Sequence, residues 1–156
     1  MALEGRPPSR SPRAGARRRY HGPRRTPKGG VVLSFGANDT TAEHGRPRVE
    51  HERSCAALAA ILGDAASLGL PVLMVGPAPV DDREQNVRIR RLSDAFAEVC
   101  RRASVPFVRV VEPLLASDVW MQEVAAGDGA HPAANGYEAL AGCVIAGGWV
   151  DWLRGA

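Results

Sequence analysis

The chain has 156 residues, of which 45% are hydrophobic and 24% charged, a composition that indicates a single globular domain. No apolar run is long enough to cross a membrane, and no hydrophobic segment follows the basic N-terminus as a secretory signal requires. The net charge of +3 is unevenly distributed: residues 1–30 carry nine Lys and Arg against one acid, and residues 31–156 carry 11 against 16. The body of the chain is therefore mildly acidic.

Residues 1–30 are rich in Arg, Pro and Gly and contain almost no large aliphatic side chains. Such a segment cannot bury enough apolar surface to offset the lost chain entropy, so we predict a disordered tail. Basic tails can bind nucleic acid, but Tyr20 is the only aromatic residue here and no folded module positions it. We therefore expect no nucleic-acid partner, and we assign the folded domain to residues 31–156.

The three cysteines, Cys55, Cys100 and Cys143, lie far apart on predicted apolar helix faces and have no metal-ligand spacing. Buried, unpaired thiols are typical of a reducing compartment, so we expect a cytoplasmic protein. We also expect neither a metal nor a cofactor. The sequence leaves the oligomeric state open.

From residue 31 onward, short apolar runs alternate with longer segments of helical periodicity. The predicted strands are 31–35, 71–75 and 105–111. The predicted helices are 49–68, 83–103, a short helix within 114–126, and a last helix from Asn135. Continuous apolar runs are typical of parallel strands, which helices cover on both faces. The alternation therefore predicts an α/β fold with a parallel sheet between two helical layers.

The start of the last helix is predicted from Asn135-Gly136-Tyr137-Glu138, which has the form of a capping box. Asn135 is the expected N-cap, and Glu138 stands at the third helical position. We expect this helix to bury an apolar face that includes Leu140, Ile145 and Leu153.

Two polar motifs lie at the sheet edge where α/β folds bind ligands. The first predicted strand runs into Gly36-Ala37-Asn38-Asp39, and Asp128-Gly129-Ala130-His131-Pro132 forms a tight loop that cannot easily continue a helix. A carboxylate three residues from a histidine can fix the tautomer and orientation of a general base. Taken singly, the motifs could be a structural Asx turn and a helix-entry loop with a surface histidine. Together they indicate a hydrolase site.

In this order and on these elements, the two motifs resemble the SGNH hydrolases, also called GDSL-type lipases and esterases, and especially the bacterial acylhydrolases. The resemblance covers essentially all of 31–156. It implies a three-layer α/β/α, flavodoxin-like fold, a small-molecule ester substrate and acyl transfer by a Ser-His-Asp triad. It also implies that His131 is the general base, that Asp128 orients it and that Asn38 donates to the oxyanion. Gly36 matches the glycine that lets the backbone turn at the strand end.

The chain departs from the family pattern at the nucleophile. The family serine lies in a Gly-Asp-Ser turn after a first strand, and a second segment adds an oxyanion glycine; residues 1–30 contain no Gly-Asp-Ser. Ser9 and Ser11 follow no strand, and Ser34 is expected inside the strand that leads to Asn38. We therefore expect an N-terminally truncated or frame-shifted hydrolase that is inactive as written. The alternative is an inactive remnant or binding module of the same fold.

Overall fold

The computed structural model describes residues 29–156, so nearly all of the predicted tail, with Ser9 and Ser11, lies outside the described residues. The elements in chain order are β1 (Val31–Ser34), β2 (Ala42–Glu43), β3 (Arg46–Pro47), α1 (His51–Leu68), β4 (Val72–Val75), α2 (Arg83–Arg102), β5 (Phe107–Val108), α3 (Val111–Leu115), α4 (Asp118–Ala126), α5 (Ala134–Val144) and α6 (Val150–Gly155). A turn of 3-10 helix, Asn38–Thr40, follows β1, and a π-helical stretch, Ile145–Trp149, joins α5 to α6. Within 29–156, no helix is long and apolar enough to span a membrane.

The main sheet is parallel and has three strands in the spatial order β1, β4, β5. Every residue of the central strand β4 is buried, and successive side chains enter opposite layers. Val72 and Met74 pack with residues of α1 and α2, whereas Leu73 and Val75 pack with residues of α3, α4 and α5. The sheet therefore lies between two helical layers, which is the predicted α/β/α fold.

The third strand of this sheet is shorter than predicted. The apolar run 105–111 was expected to be one strand, but β5 contains only Phe107 and Val108, and Val111 already begins α3. Val110 and Val111 are nevertheless fully buried. An apolar run indicates burial, and burial is equally compatible with a strand or with a helix packed on the sheet. The length of the apolar run therefore did not determine where the strand ends.

The last helix begins at Ala134, and the predicted capping box is wrong. Its N-cap residue, Ala133, makes no side-chain cap hydrogen bond. Instead the carboxylate of Glu123 in α4 accepts hydrogen bonds from Gly136 N at 2.6 Å and from Asn135 Nδ2 at 3.0 Å. An acid supplied by another helix satisfies one free backbone N–H of the first turn, and a pattern confined to the helix itself could not reveal it.

The C-terminal helical segment is not the continuous buried helix that was expected. Gly148 has φ +103°, which interrupts the helix between α5 and α6. At Gly147 a side chain is excluded, because an added Cβ would lie 2.5 Å from Cγ1 of Val108 in β5. Ile145, before this interruption, and Leu153, after it, are 58% and 55% exposed, so their predicted burial is wrong.

Candidate active site

A cavity of about 420 Å³ opens beyond the carboxyl ends of β1 and β4. Its lining includes Ser34, Gly36, Asn38, Trp120, His131 and Tyr137. Three residues of the predicted site therefore share this cavity, and the fourth, Asp128, contacts His131 directly. Because loops that follow parallel strands meet at this edge, residues almost 100 positions apart in sequence come together.

The Asp128–His131 loop is organised by a single carboxylate. Asp128 Oδ1 accepts hydrogen bonds from the backbone N–H of Ala130 at 2.9 Å and of His131 at 2.8 Å. Its Oδ2 lies 2.8 Å from His131 Nδ1. The side-chain hydrogen bond to His131, together with the backbone N–H groups, holds the pKa of Asp128 well below its usual value. The carboxylate thus stays ionised while it fixes the imidazole.

Elements outside this loop set its position. Asp81 N donates to Gly129 O at 2.8 Å, and Gly129 itself has φ +82°, a conformation that favours glycine. Behind the histidine, Gly136 packs against the ring of Pro132 and beside the Glu123 carboxylate, with no room for a Cβ. The Asp128–His131 loop is therefore held against the start of α5, which the Glu123 side chain of α4 contacts.

The turn that carries Asn38 is held by α2. Gln85, which is 8% exposed, donates from Nε2 to Ala37 O at 3.0 Å and to Thr41 Oγ1 at 3.2 Å. One helical turn later, Arg88 Nε donates to Thr40 O at 2.8 Å. These bonds satisfy backbone carbonyls on both sides of Asn38 and leave its exposed side chain free to face the cavity.

Two further contacts fix the same turn. Ser54 of α1, which is 1% exposed, donates its hydroxyl to Asp39 Oδ2 at 2.7 Å. Gly36 has φ +113°, and an added Cβ would lie 3.0 Å from Phe96 Cε2 and 3.2 Å from Leu92 Cδ2. Only glycine combines that backbone conformation with such close packing on α2.

The cavity wall contains aromatic residues that the sequence did not identify as functional. Trp120 is 2% exposed and donates from Nε1 to Pro79 O at 3.0 Å. Tyr137 packs edge-on against it, with ring centroids 6.4 Å apart. Both residues have ordinary helical spacing, which does not distinguish a core aromatic from one beside a site. Both residues line the cavity and contribute apolar surface to it.

The positions of the described serines relative to His131 are relevant to the expected lack of a nucleophile. Ser34 is the last residue of β1 and lines the same cavity as His131. Among residues 29–156, no hydrogen bond joins a serine hydroxyl to the imidazole of His131.

Potential metal ligands do not cluster in the described part of the chain, where no group of three or more His, Cys, Asp or Glu could hold an ion. The three cysteines are free thiols; Cys100 is buried, and Cys55 and Cys143 are half-buried. Burial raises the pKa of the Cys100 thiol to about 11, so this sulfur is a core atom rather than a reactive group.

Comparison with known proteins agrees with this architecture. No curated protein shows significant similarity to the chain. The model of the GDSL-like Lipase/Acylhydrolase family matches residues 3–139, a range that contains both the Asn38 turn and the Asp128–His131 loop. The match spans most of the sequence, and the chain belongs to the GDSL-like Lipase/Acylhydrolase family.

Proposed function

We propose that this domain carries an ester-hydrolase site in which His131 is the general base, Asp128 orients it, and Asn38 stabilises the oxyanion. One observation carries the proposal: Asn38 and His131 line one cavity at the sheet edge, and Asp128 is hydrogen-bonded to His131. Membership of an acylhydrolase family supports acyl-ester chemistry on a small-molecule substrate. The apolar wall formed by Trp120 and Tyr137 fits a short acyl or aryl group.

The role proposed for Asp128 rests on tautomer control. With Nδ1–H of His131 directed at the carboxylate, the lone pair of Nε2 is available to accept a proton from a nucleophile. The imidazolium formed in that step is stabilised by an aspartate whose pKa is depressed and which therefore remains charged. The backbone N–H bonds to Oδ1 keep this carboxylate from rotating away.

Asn38 is proposed as the donor to the tetrahedral intermediate. A preorganised amide donor of this kind contributes roughly 3–4 kcal/mol of transition-state stabilisation because it need not reorient during the reaction. Preorganisation is supported by the contacts from Gln85 and Arg88, which fix the backbone around Asn38. Gly36 is proposed to permit this arrangement by its positive φ.

The nucleophile is the part of the mechanism for which no described residue is assigned. Ser34 lines the cavity but has no hydrogen bond to His131 among the described residues. We therefore propose that the chain as written turns over esters at or near background, because an imidazole acting on water alone is a far weaker catalyst. The second candidate function is an inactive remnant or binding module of this fold. It is favoured by the same lack of a described serine bonded to His131.

Activity assays distinguish these functions. The chain as given should hydrolyse p-nitrophenyl acetate no faster than background. A version extended with a first strand ending in Gly-Asp-Ser and with an oxyanion glycine segment should become active. His131→Ala should abolish that gain, Asn38→Ala should lower kcat by about 10²–10³-fold, and the control His44→Asn should have no effect. Failure of the extended, folded protein to hydrolyse any short ester would favour the binding module.

For the cellular setting, we propose a cytoplasmic protein without a nucleic-acid partner. The free, partly or fully buried thiols Cys55, Cys100 and Cys143 are what a reducing compartment maintains. The excess of acidic residues in 31–156 disfavours phosphate-backbone binding by the domain itself.

A further inference from the structure

A second cavity, of about 540 Å³, lies on the far side of the turn that carries Asn38. It opens between the β2–β3 hairpin, the start of α1 and the exposed side of α2. Its polar lining residues are Thr40, His51, Ser54, Arg88, Arg91 and Asp94. None of these residues has a role in the proton transfer proposed for His131, so the function of this cavity is open.

The basic groups of this second cavity are largely uncommitted. Arg88 uses Nε to hold Thr40 O and forms no ion pair with any described carboxylate. Arg91 forms neither a hydrogen bond nor an ion pair within 29–156, and His51 is exposed beside it. Two guanidinium groups with free N–H donors in one concave site suit a carboxylate or phosphate, which they can bind through charge-assisted hydrogen bonds.

The acid that lines the cavity is engaged in an ion pair. Asp94 Oδ1 lies 2.5 Å from Arg109 Nη1, and Arg109 does not line the cavity. Glu50 and Glu52 flank His51 in sequence, but neither lines the cavity. The cavity is thus a cationic site on a domain in which acids outnumber Lys and Arg by 16 to 11 over residues 31–156.

The two cavities lie on either side of the turn that carries Asn38, and a hydrogen bond joins one lining residue of each. Asp39 lines the first cavity and Ser54 lines the second, and Ser54 Oγ donates to Asp39 Oδ2 at 2.7 Å. Likewise, Asn38 lines the first cavity and Thr40 lines the second. A ligand that extends across this turn from one cavity to the other would therefore have one end beside Asn38 and the other beside Arg88 and Arg91.

We propose that the second cavity binds an anionic group, a carboxylate or a phosphate, carried by the ester substrate while its carbonyl is placed at Asn38. This inference rests on the proposed ester-hydrolase function and narrows its substrate class to acidic esters. Arg91 is the principal anion ligand, and Arg88 adds a second donor while it also holds the turn.

Calorimetric titration of the full chain tests this proposal without requiring turnover. Monoethyl succinate and inorganic phosphate are the anionic probes, and diethyl succinate is the neutral one. We expect at least one anion to bind and the diester to bind far more weakly, with added salt weakening the anion only. Arg91→Gln should weaken binding by about 10-fold, whereas Arg90→Gln, an equal charge loss outside the cavity, should leave it within about 2-fold.

Two more variants make the test decisive. Asp94→Asn removes the lining carboxylate and should strengthen anion binding, whereas Glu138→Gln, an equal charge change outside both cavities, should leave it within about 2-fold. Equal binding of monoester and diester, no binding of either anion, or equal losses in Arg90→Gln and Arg91→Gln would overturn the inference. Anion binding at Arg91 in a protein whose extended form hydrolyses no ester would instead overturn the proposed function and retain the anion site.

Discussion

The two halves of the candidate site are held in different ways. The Asn38 turn is fixed by side chains of α1 and α2 that are themselves buried, among them Ser54 and Gln85. The His131 half is a self-organised loop whose side chains are 67% exposed at His131 and 61% exposed at Asp128. Asn38, the proposed oxyanion donor, is therefore held by the core, whereas His131, the proposed base, depends on local hydrogen bonds and on contacts at the start of α5.

This difference matches the chemical demands on each half. An oxyanion donor contributes only if it is oriented before charge develops, which favours attachment to the core. A general base must exchange protons with bulk water during turnover, which exposure permits. The two halves are therefore expected to respond differently to substitution.

The largest effect is expected where the base loop meets α5. In Gly136→Ala the new Cβ would overlap Pro132 and lie 2.9 Å from Glu123 Oε2, so the loop or the helix must move. We expect a loss of roughly 2–3 kcal/mol in the free energy of unfolding. The control is Gly142→Ala in the same helix, where an added Cβ has no neighbour within 4 Å. That change should stabilise the protein by up to about 1 kcal/mol. Urea unfolding of both variants measures the difference, and equal effects would show that the contact between Gly136 and Pro132 is loose.

A smaller effect is expected in the Asn38 half. Gln85→Ala removes the donor to Ala37 O and Thr41 Oγ1 and leaves the part-buried Ala37 carbonyl with one hydrogen bond fewer. The expected cost is about 1–3 kcal/mol of unfolding free energy, together with broadened amide signals from the Asn38 side chain. The exposed residue Arg90 of the same helix is the control, and Arg90→Ala should change stability by less than about 0.5 kcal/mol. Unchanged Asn38 signals in folded Gln85→Ala would contradict the role given to α2.

The smallest effect is a pH dependence in the base half. The folded-state pKa of Asp128 is depressed below its ordinary value of 3.8, first by the His131 side chain and then by backbone N–H groups. Its contribution to stability is therefore present above the unfolded pKa and disappears as the pH falls through the folded one. Asp128→Asn should be less stable than the parent near neutral pH, and this difference should shrink below about pH 4. Unfolding curves at several pH values test this, and a difference that grows in acid would refute it.

The features that short sequence motifs determine were predicted from the sequence. The Asp128–His131 spacing and the glycine before Asn38 are short-range patterns, and the structure places them at one sheet edge as a parallel α/β fold requires. Strand β4 was also well predicted, because a strand buried on both faces is apolar at every position.

Long-range contacts are what the sequence could not reveal. Glu123 caps α5 from another helix, and Gln85 reaches Ala37 across 48 positions. Neither partner has a signature in its own neighbourhood, since an exposed-looking acid or amide on a helix is usually solvated. The predicted end of β5 was wrong for a related reason. Val110 and Val111 are buried at the start of α3 rather than in a strand.

The central claim, that the base and oxyanion donor are in place while no described serine is activated, is tested most directly by fluorophosphonate labelling. The full chain is treated with the probe and any modified residue is located by mass spectrometry, with His131→Ala and Ser34→Ala as companions. We predict no labelling above that of His131→Ala, because labelling needs a serine hydrogen-bonded to the imidazole. Stoichiometric labelling of Ser34 that disappears in both variants would contradict the claim and make Ser34 the nucleophile.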